Sequence, residues 1–364
     1  MGQMGLRNLR AIAFTAVILY LAACGSAPPS SPVLPPGNSP VAANNAASGP
    51  VLGAWWDSER KGLRTEFGVA GAAYQGPPAY NDGSYSGGAV CMRKSIALLT
   101  TSSGALFSVS LPGGKPQAVI AGGIPGSSIA FGPSCTTSLV YTAGNSHALL
   151  VQDLLAAPKI GSVTLPAGVS NVAVSDLGPI LVAVPGTDGS AAIQLVSGGS
   201  RAVQQITTLS RFGGMAFLPG TDTALLADAA ANTVTEAAHV TGNISLAQIA
   251  SQADGVANPV AIGASADGRM AAVANKQGSS VLRLDLSGQS APAQAVCHCS
   301  PTQLDPLAGN LVFRLNEAGT GTVWAFDGDS AAPRVIFIPA DQATKPPAGQ
   351  AKNQVANNAH GAQQ

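Results

Sequence analysis

The sequence feature that most constrains the fold is a unit of short apolar runs that recurs along the chain. The clearest copy, residues 260–288, has its runs at 260–262, 270–274 and 281–286. Asp267-Gly268 separates the first two runs, and short runs bounded by such turns are typical of consecutive antiparallel strands. Arg283 and Asp285 alternate with leucines, which is the period-2 pattern of a strand with one buried face. The unit therefore predicts consecutive antiparallel strands.

Copies of this unit follow one another at a nearly constant spacing. The first runs begin at Ile129, Val172, Met215 and Val260, at intervals of 43, 43 and 45 residues. A weaker fourth run follows in three places, at 159–165, 202–207 and 293–297. Two further copies are degenerate, at 89–120 and 302–340, and residues 51–72 supply only two plausible strands. A four-stranded unit at this period predicts the blades of a β-propeller.

The repeat predicts an all-β protein with about seven four-stranded blades, of which the first is incomplete. Six blades remain an alternative, because only six copies are traced. The high Gly and Pro content, 43 and 26 residues, fits many short strands joined by tight turns. We expect a closed ring with adjacent chain ends, because closure protects the first and last strands.

The charge of the chain is low and balanced. Lys and Arg together number 18, as do Asp and Glu, so the formal net charge is +0. This balance predicts neither a nucleic-acid partner nor a patch for acidic partners.

The N-terminus has the features of a targeting segment. Arg7 and Arg10 precede an apolar run at 11–21, which is too short to favour a membrane span. The run ends in Leu21-Ala22-Ala23-Cys24, which resembles a bacterial lipobox. The resemblance implies a signal peptide at 1–23 and a lipid on Cys24; an ordinary secretory signal with a chance Cys is the alternative. Because no Asp follows Cys24, it also implies sorting beyond the inner membrane, to the outer membrane.

Two flanking segments lack the composition of a folded core. Residues 24–49 are rich in Pro, Ser, Ala and Asn, and residues 341–364 are rich in Ala, Asn, Gln and Lys. Such segments bury too little apolar surface to offset their ordering entropy, so we expect a disordered tether and a disordered tail. The propeller domain is then predicted at 50–340.

The repeated unit resembles bacterial seven-bladed propellers of the YVTN, NHL and WD40-like group. The resemblance covers most of residues 89–340 and implies a fold more than a function, since propellers host sensors, scaffolds, lectins and enzymes. Trp56-Asp57 is the only Trp-Asp dipeptide and lies in the incomplete blade. A WD40-type scaffold role is therefore not transferred.

Four cysteines remain after Cys24 is assigned to lipid. Cys91, Cys135, Cys297 and Cys299 are an even number, which in an oxidising compartment predicts disulfides. Cys91 and Cys135 lie near the starts of neighbouring copies, so a bridge between blades is conceivable. The alternative for Cys297-His298-Cys299 is a site for a soft metal ion, but a tetrahedral site would need ligands from elsewhere.

Other residues with chemical potential favour structural interpretations. His147, His239, His298 and His360 lack the neighbouring motifs that catalysis needs. Asp267, Asp285, Asp305 and Asp327 recur at turns or strand ends, where carboxylates usually cap turns; a Ca²⁺ ring at the channel mouth is the alternative. Trp55, Trp56 and Trp324 are expected in the core, although they would also suit a sugar platform.

The sequence therefore predicts a lipid-anchored binding or scaffold module of the cell envelope. We expect no cofactor, no metal ion and no catalytic residue. We expect an envelope protein or glycan as the partner, and attachment of the protein to the membrane through its N-terminal lipid. The alternative is a propeller enzyme of the hydrolase or lactonase kind.

Overall fold

The computed structural model describes residues 49–197, 203–316 and 321–339. Within these ranges the chain forms seven antiparallel sheets, six with four strands and one with three. Two short 3₁₀ turns, Met92–Lys94 and Gln252–Asp254, are the helical elements of this part. The protein is a seven-bladed β-propeller, as the repeat predicts, and the alternative of six blades is wrong. The described part of the chain has no helix with the length and apolar composition that a membrane crossing requires.

The first four blades follow one another along the chain. Blade 1 contains β1 (Val51–Asp57), β2 (Gly62–Val69) and β3 (Ala72–Gln75). Blade 2 contains β4 (Gly87–Cys91), β5 (Ile96–Thr100), β6 (Leu106–Ser110) and β7 (Gln117–Ile120). Blade 3 contains β8 (Ser128–Phe131), β9 (Ser138–Tyr141), β10 (His147–Gln152) and β11 (Lys159–Thr164). Blade 4 contains β12 (Asn171–Val174), β13 (Ile180–Pro185), β14 (Ala191–Val196) and β15 (Val203–Leu209).

The remaining three blades have the same order of strands. Blade 5 contains β16 (Phe212–Phe217), β17 (Ala224–Asp228), β18 (Thr233–Ala238) and β19 (Ser245–Ala250). Blade 6 contains β20 (Pro259–Ala264), β21 (Met270–Asn275), β22 (Ser280–Asp285) and β23 (Ala293–Val296). Blade 7 contains β24 (Asp305–Pro306), β25 (Val312–Arg314), β26 (Val323–Asp327) and β27 (Arg334–Ile338).

Two strands went unrecognised in the sequence. Blade 1 was expected to have two strands but has three, and β19 completes blade 5 where no fourth run was recognised. Ser245–Ala250 is exposed over its first four residues, and Ala72–Gln75 is short. Strands of this kind lack the apolar alternation that marks a buried strand face.

The apolar residues of the blades pack in the joints between them. Seven clusters of buried side chains are found among the described residues, and each draws on two neighbouring blades. Between blades 4 and 5, for example, Leu181 and Ile193 pack with Phe217 and Leu226. The middle strands are buried on both faces, so their sequences are continuous apolar runs such as Ile96–Thr100.

Blades 1 and 7 close the ring by side-chain packing, without sharing a sheet. Leu52 and Trp55 of blade 1 lie in one cluster with Leu307, Val323 and Ile338 of blade 7. The Ala308 amide donates to the Leu52 carbonyl oxygen at 2.7 Å. The two ends of the propeller therefore meet, as closure requires.

The turns that join first to second strands lie together on one side of the disc, which we call the turn face. Asp176, in blade 4, shows how these turns are linked. One carboxylate oxygen accepts from the Ser134 amide of blade 3 at 2.7 Å, and the other accepts from the Gly220 amide of blade 5 at 2.9 Å. Because consecutive strands are antiparallel, the loops after second and fourth strands lie on the opposite side, which we call the mouth face.

Disulfides join the four cysteines in two pairs. Cys91 at the end of β4 is bonded to Cys135 after β8, with Cα atoms 5.8 Å apart, so this bond ties blade 2 to blade 3. Cys297 is bonded to Cys299, two positions along the chain.

The predicted signal peptide at 1–23, Cys24, most of the tether to residue 49 and the tail at 341–364 lie outside the described residues. They stay predictions.

Replacing Cys91 and Cys135 together by serine should lower the free energy of unfolding by about 2–4 kcal/mol, because the bond closes a loop across a sequence separation of 44. The matched control replaces Cys297 and Cys299, whose separation of 2 leaves little loop entropy to remove. Urea denaturation with and without reductant measures both. Equal losses in the two double variants would contradict the assignment of a stabilising role to the bond between blades.

Candidate functional site

The seven first strands surround a central channel of about 500 Å³. Every blade contributes to its wall, and most of the side chains that line it are apolar. They include Ala54, Val90, Ile129, Phe131, Ala173, Met215, Phe217 and Ile262. Small and branched residues on inner strands leave a space along the axis that the fold itself does not fill.

Arg93 crosses one end of this channel. It follows β4 in the turn Met92–Lys94, and its guanidinium donates to the Pro133 carbonyl of blade 3 at 2.8 Å and to the Ala264 carbonyl of blade 6 at 2.7 Å. Arg93 lines both the channel and a depression of about 400 Å³ on the turn face. The side chain therefore stands between the two spaces.

The environment of Arg93 leaves its charge incompletely balanced. Burial lowers the pKa of the guanidinium, and the carboxylates of Asp176 and Asp267 partly oppose that effect. Its two hydrogen-bond acceptors are neutral carbonyls. Within the described part of the chain, no carboxylate forms an ion pair with Arg93.

A second charged group lies in the channel wall at blade 7. Asp305 on β24 and Arg314 on β25 are cross-strand neighbours and form an ion pair. The Arg314 guanidinium carbon stands 5.2 Å from the centre of the Trp55 ring of blade 1, a cation–π arrangement. This contact places a charged group of blade 7 against an aromatic ring of blade 1, at the joint that closes the ring.

A buried polar cluster continues behind this wall in blade 1. Arg64 donates to the Asp57 carboxylate at 2.8 Å and to the Gln75 side-chain oxygen at 3.3 Å. Glu66 on the same strand is fully buried, and neither of its carboxylate oxygens has a hydrogen-bond partner among the described residues. Gly53 faces it across the strand pair; a Cβ added there would come within 2.8 Å of the Glu66 carboxylate.

Burial raises the pKa of the Glu66 carboxyl from 4.5 to about 7, and the positive charge of Arg314 only partly offsets this. The neutral acid is thus favoured in a space where the charged form lacks hydrogen bonds. Glu66 is a titrating group placed inside the joint between blades 1 and 7.

The histidines of the described residues do not line the channel. His147 is exposed and lies 3.3 Å from the Ser162 hydroxyl. The His239 ring nitrogen is 3.8 Å from the Asp222 carboxylate, and His298 is exposed. His360 lies outside the described residues. The described residues contain no group of three His, Cys, Asp or Glu side chains placed to hold a metal ion.

The aspartates named from the sequence divide into two kinds. Asp267 accepts from the Arg269 amide at 3.1 Å and Asp285 from the Ser287 amide at 2.9 Å, so both cap turns as expected. Asp327 accepts from the Ser330 hydroxyl at 2.7 Å. For Asp305 the turn interpretation is wrong, because its carboxylate is held by Arg314 in the channel wall.

The tryptophans do not form one platform. Trp55 and Trp56 line the channel, whereas Trp324 packs against Phe337 on the outer strands of blade 7.

The sequence did not predict the roles of Arg93, Arg314 and Glu66. The available signal was the pair of charged residues in the short strand Gly62–Val69, but their alternate spacing predicts a solvated face.

Replacing Glu66 by glutamine should flatten the pH dependence of stability. A folded-state pKa raised from 4.5 to about 7 means that the stability Glu66 contributes is fully present below pH 4.5 and is lost as pH rises through 7. Between pH 5 and pH 8, the free energy of unfolding of the variant should therefore rise relative to that of the native chain, by up to about 3 kcal/mol. Denaturation curves across this range, with exposed Glu59→Gln as control, measure it; parallel curves for Glu66→Gln and the native chain would refute the role of Glu66.

No family model matches this chain, and no curated protein matches it. Solved structures match its fold. A protein of unknown function from Desulfotomaculum acetoxidans DSM 771 superposes with a TM-score of 0.52 at 14% identity, over 80% of this chain and 99% of that one. The β-propeller domain of Cps50 (Swd1) from Myceliophteria thermophila gives a TM-score of 0.50 at 11% identity, over 71% of this chain and 87% of that one.

A virginiamycin B lyase from Staphylococcus aureus also matches, at 13% identity over 76% of this chain and 90% of that one, but its TM-score of 0.44 is too low to support an argument. At these identities the similarity shows the fold and no activity. The chain is similar to known β-propellers in its fold alone.

Proposed function

We propose that this protein is a lipid-anchored binding module of the bacterial cell envelope that holds an envelope protein or glycan on its mouth face. The observation that carries the proposal is the pre-organisation of the mouth loops. In the loop of blade 4, the Gly186 amide donates to the Ser190 carbonyl at 2.8 Å, and the Ser190 amide donates to the Asp188 carboxylate at 3.0 Å. Thr187 stands exposed at the tip.

Two neighbouring mouth loops have the same character. The Thr101 amide donates to the Ala105 carbonyl at 2.9 Å in blade 2, and the Asn145 amide donates to the Thr142 carbonyl at 3.0 Å in blade 3. Loops fixed by their own hydrogen bonds lose little entropy when they bind. Their hydroxyl and amide groups suit neutral polar partners such as glycans and the polar parts of proteins.

The cysteine pairs support an oxidising location. Disulfides such as Cys91–Cys135 persist mainly in secreted and envelope proteins. The N-terminal pattern around Cys24 supports export and lipidation, and the residue after it supports the outer membrane, facing the periplasm or the surface. The tether would then let the disc swing near the membrane.

The alternative function is a hydrolase or lactonase. It would need a proton-transfer group beside the substrate, and the charged groups at the channel are two arginines and one aspartate whose carboxylate is paired. The binding role requires no such group, so we favour it.

Replacing Cys24 by serine should abolish acyl labelling and move the protein from the membrane fraction to the soluble fraction. The physical reason is that the lipid, not a spanning helix, would hold the domain at the membrane. Labelling with a fatty-acid probe and fractionation measure both effects. Unchanged labelling and membrane association in Cys24→Ser would overturn the anchor.

A photo-cross-linking residue at Thr187 should give adducts with an envelope protein or with isolated glycan. The matched control places the same residue at Leu155, which is also exposed but lies in a loop on the side of the turn face. Mass spectrometry of the adducts identifies the partner. Adducts at Leu155 and none at Thr187 would contradict binding on the mouth face, and turnover of lactone, ester or glycoside substrates by the pure protein would favour the enzyme.

A further inference from the structure

We propose that the central channel is a second binding site, for a small organic carboxylate whose apolar body fills the channel and whose anionic group meets Arg93. This goes beyond the proposed function, since it assigns a small-molecule ligand to a place other than the mouth loops. Three features of the channel support this site: its shape, the composition of its wall and the charge at its end.

The size and wall of the channel fit a small ligand. Its volume of about 500 Å³ falls within the range of small-molecule sites. Polar and apolar surface contribute about equally to its wall, so both parts of an amphiphilic ligand would find contacts there. Side chains such as Ile129, Phe131, Met215 and Ile262 supply apolar contacts from three different blades. An apolar body placed here would be enclosed from several directions.

The charge of the channel selects an anion. Its charged lining residues are Arg93, Arg314 and Asp305, so the positive charges outnumber the negative one. The Asp305 carboxylate is paired with Arg314, which leaves the excess charge on Arg93.

The carboxylates near Arg93 lie outside the channel wall. Asp176 and Asp267 attract the guanidinium but do not line the channel. The oxygens of Asp176 are taken by the Ser134 and Gly220 amides. Asp267 accepts from the Ser265 hydroxyl at 2.6 Å and from the Arg269 amide. A ligand carboxylate would reach Arg93 from the channel side and form a charge-assisted contact.

Buried donors on the channel wall supply a second, independent observation. Within the described residues, Nη1 of Arg314 and Nε1 of Trp55 have no hydrogen-bond partner. The Arg314 side chain is only 10% exposed and Trp55 only 4%, and both residues line the channel. Buried donors are normally satisfied, so unpaired ones here favour a site that accepts a further polar group.

The test uses the full chain and three probes of equal length: octanoate, 1-octanol and octylammonium. Titration calorimetry gives the affinities, and tryptophan fluorescence gives a local signal because Trp55 and Trp56 line the channel. We expect octanoate to bind at least tenfold more tightly than octanol, and octylammonium to bind most weakly. Equal affinities for octanoate and octanol would overturn the proposal.

The variant Arg93→Gln should remove the preference for octanoate and leave octanol binding unchanged. The matched control is Arg283→Gln: the Arg283 guanidinium also donates to backbone carbonyls of the next blade, at Gly328, Ser330 and Ala331, but it does not line the channel. If Arg93→Gln does not fold, Arg93→Lys keeps the charge and should keep the preference. Loss of the preference in Arg93→Lys, or in Arg283→Gln as much as in Arg93→Gln, would refute the role of Arg93.

Two more variants locate the bound anion. Ala216→Phe narrows the channel and should abolish octanoate binding, whereas Lys94→Gln changes the depression on the turn face and should leave the binding unchanged. The reverse pattern would place the anion in the depression and overturn the channel site. Because these measurements do not involve the mouth loops, their failure would be distinguishable from failure of the mouth-face proposal.

Discussion

The fold depends on the burial of apolar side chains on both faces of each blade. A blade alone would expose one of these faces, and only the neighbouring blade covers it. The clusters found between all seven pairs of neighbours show this directly, since none of them is confined to a single sheet. The first and last blades therefore have to meet, and Leu52 packing beside Ile338 is the consequence of that requirement.

The joint between blades 1 and 7 differs from the others in its polarity. Six of the charged residues that the structure describes are buried. Asp57, Arg64, Glu66 and Arg314 are linked around this joint. The other two are Asp327 of blade 7 and Asp228 of blade 5. Buried ion pairs add little net stability compared with apolar packing, because desolvation offsets their attraction. The Glu66 carboxylate has no hydrogen-bond partner in the described residues and opposes folding when it is charged. The stability of the joint that closes the ring should therefore fall as pH rises through about 7.

The sequence predicts the architecture well and the channel poorly, for one physical reason. Strands reveal themselves locally, by apolar runs and turn residues, and the repeat from Ile129 to Val260 multiplies that signal. The exposed strand Ser245–Ala250 lacks the signal and was missed. Arg64 and Glu66 occupy alternate positions on one strand face, which predicts a solvated face, but ring closure buries that face as well. Arg93 meets Ala264 across 171 residues, and no local pattern predicts such a contact.

Arg93 links blade 2 to blades 3 and 6 and also lines the channel. Carbonyl groups of blades 3 and 6 converge at the channel end, and a guanidinium from blade 2 has the reach and the forked donors to bind both. The same interaction partly buries the charge at the end of the channel, and this burial is why the pKa of Arg93 is lowered. An anion in the channel would offset part of the desolvation cost of the Arg93 guanidinium. A ligand that binds only the closed ring stabilises the closed ring. Binding in the channel would therefore also stabilise the contacts that hold blades 2, 3 and 6 together.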